Sequence, residues 1–309
     1  MEEREFYPEG IRLSHPKNRQ YISTYTGLAD ARLSGEILEA IAVMCDAEHN
    51  LHVPLPCMPG IIPHDEGAVG IEDGTTRDIA IISRVGKPVS FVVIGFEETE
   101  NGMRAILSRR RAQERCRYYC LNELRPGDIL PARVTRLETF GAFCDVGCGL
   151  SALMPIAGMS VSRISHPSDR LSPGMDILGV ITSLENGRIC LSQRELLGTW
   201  EENAARFSQG ETVMGIVRSV ESYGVFIELA PNLAGLAETR EDLTPGQPVS
   251  VYIKSVLPEK MKVKLIVIDT AGAPAPPPPL SYFITEGHLS RWVYSPAVSL
   301  KKIETVFDH

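Results

Sequence analysis

The sequence predicts an all-β chain of small tandem five-stranded barrels joined by short linking helices. Short β-branched runs recur, broken by clusters of Gly, Pro and Asp. Two segments repeat one another residue by residue. The longest apolar runs, such as 89–95 and 263–268, read as buried strands. None approaches the ~18 apolar residues needed to cross a bilayer.

The first repeat opens on Pro126-Gly127-Asp128-Ile129 and continues as Ala132-Arg133-Val134-Thr135-Arg136-Leu137. It then reads Thr139-Phe140-Gly141-Ala142-Phe143-Cys144-Asp145-Val146. The second opens on Gly210-Glu211-Thr212-Val213 and continues as Gly215-Ile216-Val217-Arg218-Ser219-Val220. It then reads Ser222-Tyr223-Gly224-Val225-Phe226-Ile227-Glu228-Leu229. Each passes through a small-residue turn (Ala152-Leu153, Gly235-Leu236) and a Pro-Gly turn (Pro173-Gly174, Pro245-Gly246), then closes with two alternating strands. The Gly inside each aromatic–Gly–x–Phe unit lets the second strand coil or bulge, as a small barrel requires. That frees the flanking rings to face outward.

A degenerate copy lies upstream, with strands expected over 37–45, 50–55, 78–84, 89–95 and 104–108 and a turn at Gly60-Ile61-Ile62-Pro63. It lacks the aromatic–Gly–x–Phe unit. Residues 112–124 suit a short amphipathic helix, and 193–207 form a similar joint. The expected organisation is an N-terminal extension (1–34), a degenerate barrel (35–111), a linking helix (112–125), a second barrel (126–194), another linking helix (195–208) and a third barrel (209–269). Residues 270–309 hold a polyproline-type linker and a tail carrying Phe283, Trp292 and Tyr294, expected to pack back onto a barrel.

Of the 309 residues, 43% are hydrophobic and 23% charged, which excludes wholesale disorder. The N-terminal MEEREFYPEG has no basic start followed by an apolar run, so no secretory leader is expected. Seven scattered cysteines point to reduced thiols in a cytoplasm. Cys116/Cys120 and Cys144/Cys148 have spacings that zinc pairs also use. They sit at a helical spacing and around a strand end, so structural thiols are expected and no metal or cofactor is assigned. His64-Asp65-Glu66 has a catalytic look, but no nucleophile or Gly-rich phosphate loop accompanies it, and no enzyme is expected.

A net charge of −8 argues against a surface that wraps duplex DNA, because phosphate contacts dominate such affinity. A local groove tracking a single strand remains compatible with it. The candidate groove centres on Phe140 and Phe143 as a base-stacking platform, with Arg136, Arg163, His166 and Arg188 holding backbone. In the third barrel the candidates are Tyr223, Phe226, Arg218, Lys254, Lys262 and Lys264. A core role for the rings, and a lysine-protected edge strand for 260–264, are the competing readings.

These residues resemble the S1 RNA-binding domain, an OB-fold barrel of five strands. The likeness rests on the Gly-Asp start, the Phe140-Gly141-Ala142-Phe143 unit, His166-Pro167-Ser168, the Pro173-Gly174 turn and the closing Arg188-Ile189-Cys190-Leu191-Ser192. The tandem order resembles the ribosomal protein S1 family. Segments such as His49-Asn50-Leu51, Gly198-Thr199-Trp200-Glu201-Glu202-Asn203 and Tyr282-Phe283-Ile284-Thr285-Glu286-Gly287-His288 look like its clostridial members. The resemblance implies binding of single-stranded mRNA in translation, contact with the small ribosomal subunit and no membrane, by a monomer. Phe140 and Phe143 match the family's exposed aromatics and Arg188 its basic residue on the last strand. Where the family often carries His, Pro155 and Glu238 stand, and Glu185 matches only roughly the family's acidic residue. The alternatives are a ribosome- or protein-docking adaptor and an accessory RNA-processing factor.

Overall fold

The structure, a computed structural model, describes residues 5–100, 102–240, 242–270 and 280–307. The Pro-rich run Pro276 to Pro279 lies outside the described residues. The chain forms two compact units, Met1–Leu124 with Asp145–Ser151, and Arg125–Cys144 with Ala152–His309.

In the first unit, α1 (Pro16–Ile22) and α2 (Tyr25–Ser34) precede the strands. The Thr24 side chain caps α2 by accepting from Gly27 N at 3.0 Å. Then come β1 (Leu38–Ile41), β2 (Met44–Cys45), β3 (Leu51–Pro54), β4 (Pro59–Ile62), α3 (Ile79–Ile82), β5 (Pro88–Thr99), β6 (Gly102–Ser108) and α4 (Arg109–Asn122). The sheet order is β1-β5-β6-β4-β3-β2. β1 and β2 are two halves of one strand, broken where Ala42 N–H donates to Lys87 O (3.1 Å) and Val43 N–H to His52 O (2.9 Å). The break lets one strand serve both β5 and β3. Leu28, Leu51, Ile62, Phe91 and Leu107 fill the interior.

One expectation fails in this unit. The run 78–84 forms α3 rather than a strand. Both sides of β5 are taken, by β1 and β6, so no open edge is left for it. Only Ile81 of its three isoleucines is buried.

Glu39 on β1 is buried and accepts from Gly10 N (3.0 Å), Arg12 N (2.9 Å) and Ser90 Oγ (3.0 Å). Burial pushes its carboxyl up to about 7. Cys116, Cys120 and Cys148 are buried, and all seven cysteines are free thiols.

The second barrel consists of β7 (Ile129–Glu138), β8 (Gly141–Asp145), β9 (Ser151–Pro155), β10 (Asp176–Ser183) and β11 (Cys190–Ser192). It closes in the order β10-β11-β9-β8-β7. Its one parallel pair sets Cys190 opposite Leu153. A 3-10 turn, Arg194–Leu197, and the short helix α5 (Trp200–Ala204) follow, with Gly198 at φ 84° breaking the joint between them. The third barrel consists of β12 (Thr212–Glu221), β13 (Gly224–Ala230), β14 (Leu233–Ala237), β15 (Pro248–Leu257) and β16 (Lys262–Thr270). It closes in the order β12-β13-β14-β16-β15, with Leu236 opposite Lys264 in the parallel pair.

The tail packs back as expected. It forms the hairpin β17 (Arg291–Val293) and β18 (Glu304–Val306). Trp292 and Tyr294 join the third barrel's core, and the Tyr294 hydroxyl donates to Asn232 O at 2.6 Å. On the second barrel, Ile129 N–H donates to Gly287 O (3.1 Å) and His288 Nδ1 meets Asp128 at 2.7 Å.

Candidate nucleic-acid interface

The two aromatic–Gly–x–Phe units fold alike. On β8, Ala142 and Cys144 point into the barrel and are buried, while Phe143 between them is half-exposed. On β13, Val225 and Ile227 are buried around a half-exposed Phe226. The residue before each Gly lies outside the barrel, with Phe140 53% and Tyr223 68% exposed. Phe140 and Phe143 meet edge to face at 6.1 Å and 89°. Tyr223 and Phe226 do so at 6.0 Å and 86°. Glycine is required between the rings. A Cβ at Gly141 would lie 2.4 Å from Met154 O, and one at Gly224 would lie 2.6 Å from Ala237 O. The close approach also lets Ile156 N–H donate to Phe140 O at 2.9 Å, which fixes the corner carrying the first ring.

Around the Phe140 pair the cations are unevenly committed. The Arg136 guanidinium lies 4.9 Å from the Phe143 ring centroid and pairs with Glu138 at 3.0 Å. Arg163 and Arg188 are exposed and have no acidic partner among the described residues. His166 caps the 3-10 turn Pro167–Asp169, with Nδ1 accepting from Ser168 N at 3.2 Å. That acceptor role puts the proton of the neutral ring on Nε2, leaving a donor on the other edge.

In the third barrel, strand register places Phe226 beside Leu236, and Leu236 beside Lys264. Lys254, Lys262 and Lys264 are exposed. Counting from the parallel pairs, Lys262 occupies the place of Arg188 and Lys264 that of Cys190. The exposed Glu238 stands where the second barrel has Pro155.

Arg218 does not join this face. Its side chain is 7% exposed and pairs with Glu228 at 2.9 Å. Glu228 also holds Arg170 through two contacts of 2.7 Å, and both partners are buried. Arg170 comes from the connection between β9 and β10, so this ion cluster fastens the second barrel to the third. The register of Glu228 in the third barrel is that of Asp145 in the second, which is buried too. Asp145 accepts from Glu9 N (2.7 Å), Gly147 N (2.8 Å) and Gly149 N (3.0 Å). In both barrels, then, the acid at the end of the second strand lies on the same face as the half-exposed ring yet is itself buried. The repeat alignment already sets these two acids in register, but nothing in the sequence marks Arg170 as the counterion of Glu228.

Residues 123–193 match the family described as S1 RNA binding domain. That segment, the second barrel, is an S1 domain. The chain is 30% identical over 207 residues to the small ribosomal subunit protein bS1 homolog of Bacillus subtilis, covering 61% of this chain and 53% of that one. It is 31% identical over 185 residues to small ribosomal subunit protein bS1 of Staphylococcus aureus, covering 54% and 47%. The chain thus spans about half the length of the curated relatives it matches. A solved multidomain protein with nucleic acid binding domains from Streptococcus pneumoniae is 13% identical, with a TM-score of 0.25 and coverage of 75% and 73%. No helix among the described residues is long and apolar enough to cross a membrane.

Proposed function

We propose that the chain binds single-stranded RNA on the outer faces of its second and third barrels, as a bS1-like mRNA-binding factor in translation. The observation that carries this reading is the exposed, edge-to-face aromatic pair built twice at one barrel position, within 0.1 Å and 3° of itself. Two rings held at a fixed angle beside a strand end offer bases a stacking surface that reads no sequence. The exposed Arg163 and Arg188 then contact phosphate, and Arg136 stacks or pairs beside Phe143. Two weak faces on one chain raise affinity by avidity. The chain acts without cofactor or catalysis, as a cytoplasmic monomer that contacts the small ribosomal subunit.

Fluorescence anisotropy with a labelled unstructured RNA tests the reading. Affinity should fall steeply with salt, and Phe140→Ala with Phe143→Ala should weaken it tenfold or more. Unchanged affinity in that variant would remove the platform.

One observation favours protein contact as a second use of the third barrel. Met214 on β12 and Ile266 and Ile268 on β16 are exposed apolar side chains on strands flanking β15. Loss of ribosome co-sedimentation in Met214→Lys, with RNA affinity intact, would assign that flank to a protein.

A further inference from the structure

We propose that His49, His64 and Asp78, at one corner of the first unit, form a binding site for a divalent transition-metal ion of the zinc class. The proposal does not rest on the RNA reading. The Asp78 carboxylate lies between the two rings, with Oδ1 2.8 Å from His64 Nε2 and Oδ2 3.5 Å from His49 Nδ1. One ligand atom from each residue lies within 4.8 Å of the other two. Tetrahedral ligands bonded to zinc at 2.0–2.1 Å stand about 3.3 Å from one another. Small side-chain rotations therefore turn the observed spacing into a coordination sphere. Two imidazoles and one carboxylate suit zinc, cobalt or nickel. Magnesium and calcium prefer oxygen alone.

Two features of the backbone hold this arrangement. His49 is a non-glycine residue at φ 63°, a conformation that costs free energy and is kept only when its surroundings impose it. Asp46 imposes it: its carbonyl accepts from His49 N at 3.1 Å and its Oδ1 from Asn50 N at 2.8 Å. Asn50 Oδ1 then accepts from His64 N at 3.0 Å, tying the two histidine-bearing turns together. Asp78 supplies the second feature. It stands at the N-cap of α3, where an aspartate ordinarily caps the helix, yet its side chain makes no cap bond. The carboxylate faces the imidazoles instead.

The three side chains are 37%, 39% and 48% exposed, so water completes the sphere. The place in the fold is informative. His49 sits just before β3 and His64 just after β4, as Phe140 sits before β8 and Ile156 after β9. The corner that carries a stacking ring in the second barrel carries metal ligands in the first.

Calorimetric titration of zinc chloride into the full chain tests this, together with the visible absorption of the cobalt-loaded protein. One equivalent should bind, and the cobalt spectrum should show nitrogen and oxygen ligation without thiolate charge-transfer bands. His64→Ala and Asp78→Asn should each weaken binding at least about tenfold, since even outer partners of a metal site are worth that much. His52→Ala, which breaks the neighbouring 2.9 Å pair with Asp46, should bind as the parent does. Circular dichroism would establish that the variants are folded. The assignment is overturned if the parent takes up no zinc, if His64→Ala and Asp78→Asn bind as tightly as the parent, or if the cobalt spectrum reports thiolates.

Discussion

The second and third barrels share a strand order and an aromatic pair but place their charges differently. The second keeps Arg136 against a ring and leaves Arg163 and Arg188 exposed, with no acidic partner among the described residues. The third has Ser219 where Arg136 would be, and it sinks Arg218 into an ion cluster. It compensates with Lys262 and Lys264 on β16, while Glu238 adds a repelling charge at the rim. One scaffold thus presents a ring surface with forked cations and another with point charges. Guanidinium groups stack and pair bidentately, whereas ammonium groups attract phosphate without orienting it. On the proposed RNA reading, the second barrel would position RNA and the third would retain it.

The largest expected effect concerns the joint between them. Arg170→Ala leaves Glu228 buried beside Arg218 alone, and breaking such a buried pair costs about 3–5 kcal/mol. Urea unfolding followed by tryptophan fluorescence should show that loss. A variant of parental stability would mean that the joint is held by its other contacts, such as Val161 N–H to Asn232 Oδ1 at 2.9 Å, rather than by the ion cluster.

The next effect separates the first unit from both barrels. The Glu39 carboxyl, raised from 4.5 to about 7, still holds its proton in the folded state after the unfolded chain has released it. Between those pH values the native state binds more protons, so stability falls as pH rises through the window, by up to about 3 kcal/mol. Unfolding curves at several pH values should show the slope, and Glu39→Gln should reduce it, the remainder coming from Asp145, which burial also pushes up to about 7.

The contrast between the faces comes third. Stacking contributes roughly 1–3 kcal/mol per base. Tyr223→Ala with Phe226→Ala should therefore weaken RNA measurably, but less than the corresponding change at Phe140 and Phe143. A reversed order in anisotropy titrations would overturn the division of labour. The smallest effect is at the rim, where Glu238→Gln should tighten RNA by a factor of a few at low salt, and negligibly at high salt.

Much of this was readable in advance because it depends on local spacing. The aromatic–Gly–x–Phe units, the Pro-Gly turns and the closing strands are short-range patterns, and they specify the two barrels. Arg218 misled because strand alternation says which residues leave the interior, not which are covered by another segment. Its partners are Glu228 on the neighbouring strand and Asp169 from a connection distant in sequence. The run 78–84 misled because an isoleucine-rich stretch suits a short helix as well as a strand, and only occupancy of the edges of β5 decides. His64-Asp65-Glu66 looked like one group, yet the fold splits it. His64 turns outward to Asp78, while Glu66 is buried against Arg110 at 2.8 Å and the Ser108 hydroxyl. Three ligands on three separate turns leave no spacing that a linear pattern can register.

The C-terminal hairpin has a consequence for how the chain comes to be folded. Trp292 and Tyr294 are core residues of a barrel whose own strands end at Thr270. On a chain made from the N-terminus, all five strands of that barrel emerge before the side chains that finish its interior. Until then the core cluster that includes Val217, Val251 and Leu265 lacks two of its side chains. The first unit is spared this wait, because nearly all of it is synthesised by Leu124 and only the short turn Asp145–Ser151 comes later. The first unit is therefore nearly complete early in synthesis, whereas the third barrel's core waits for the hairpin that follows its own strands.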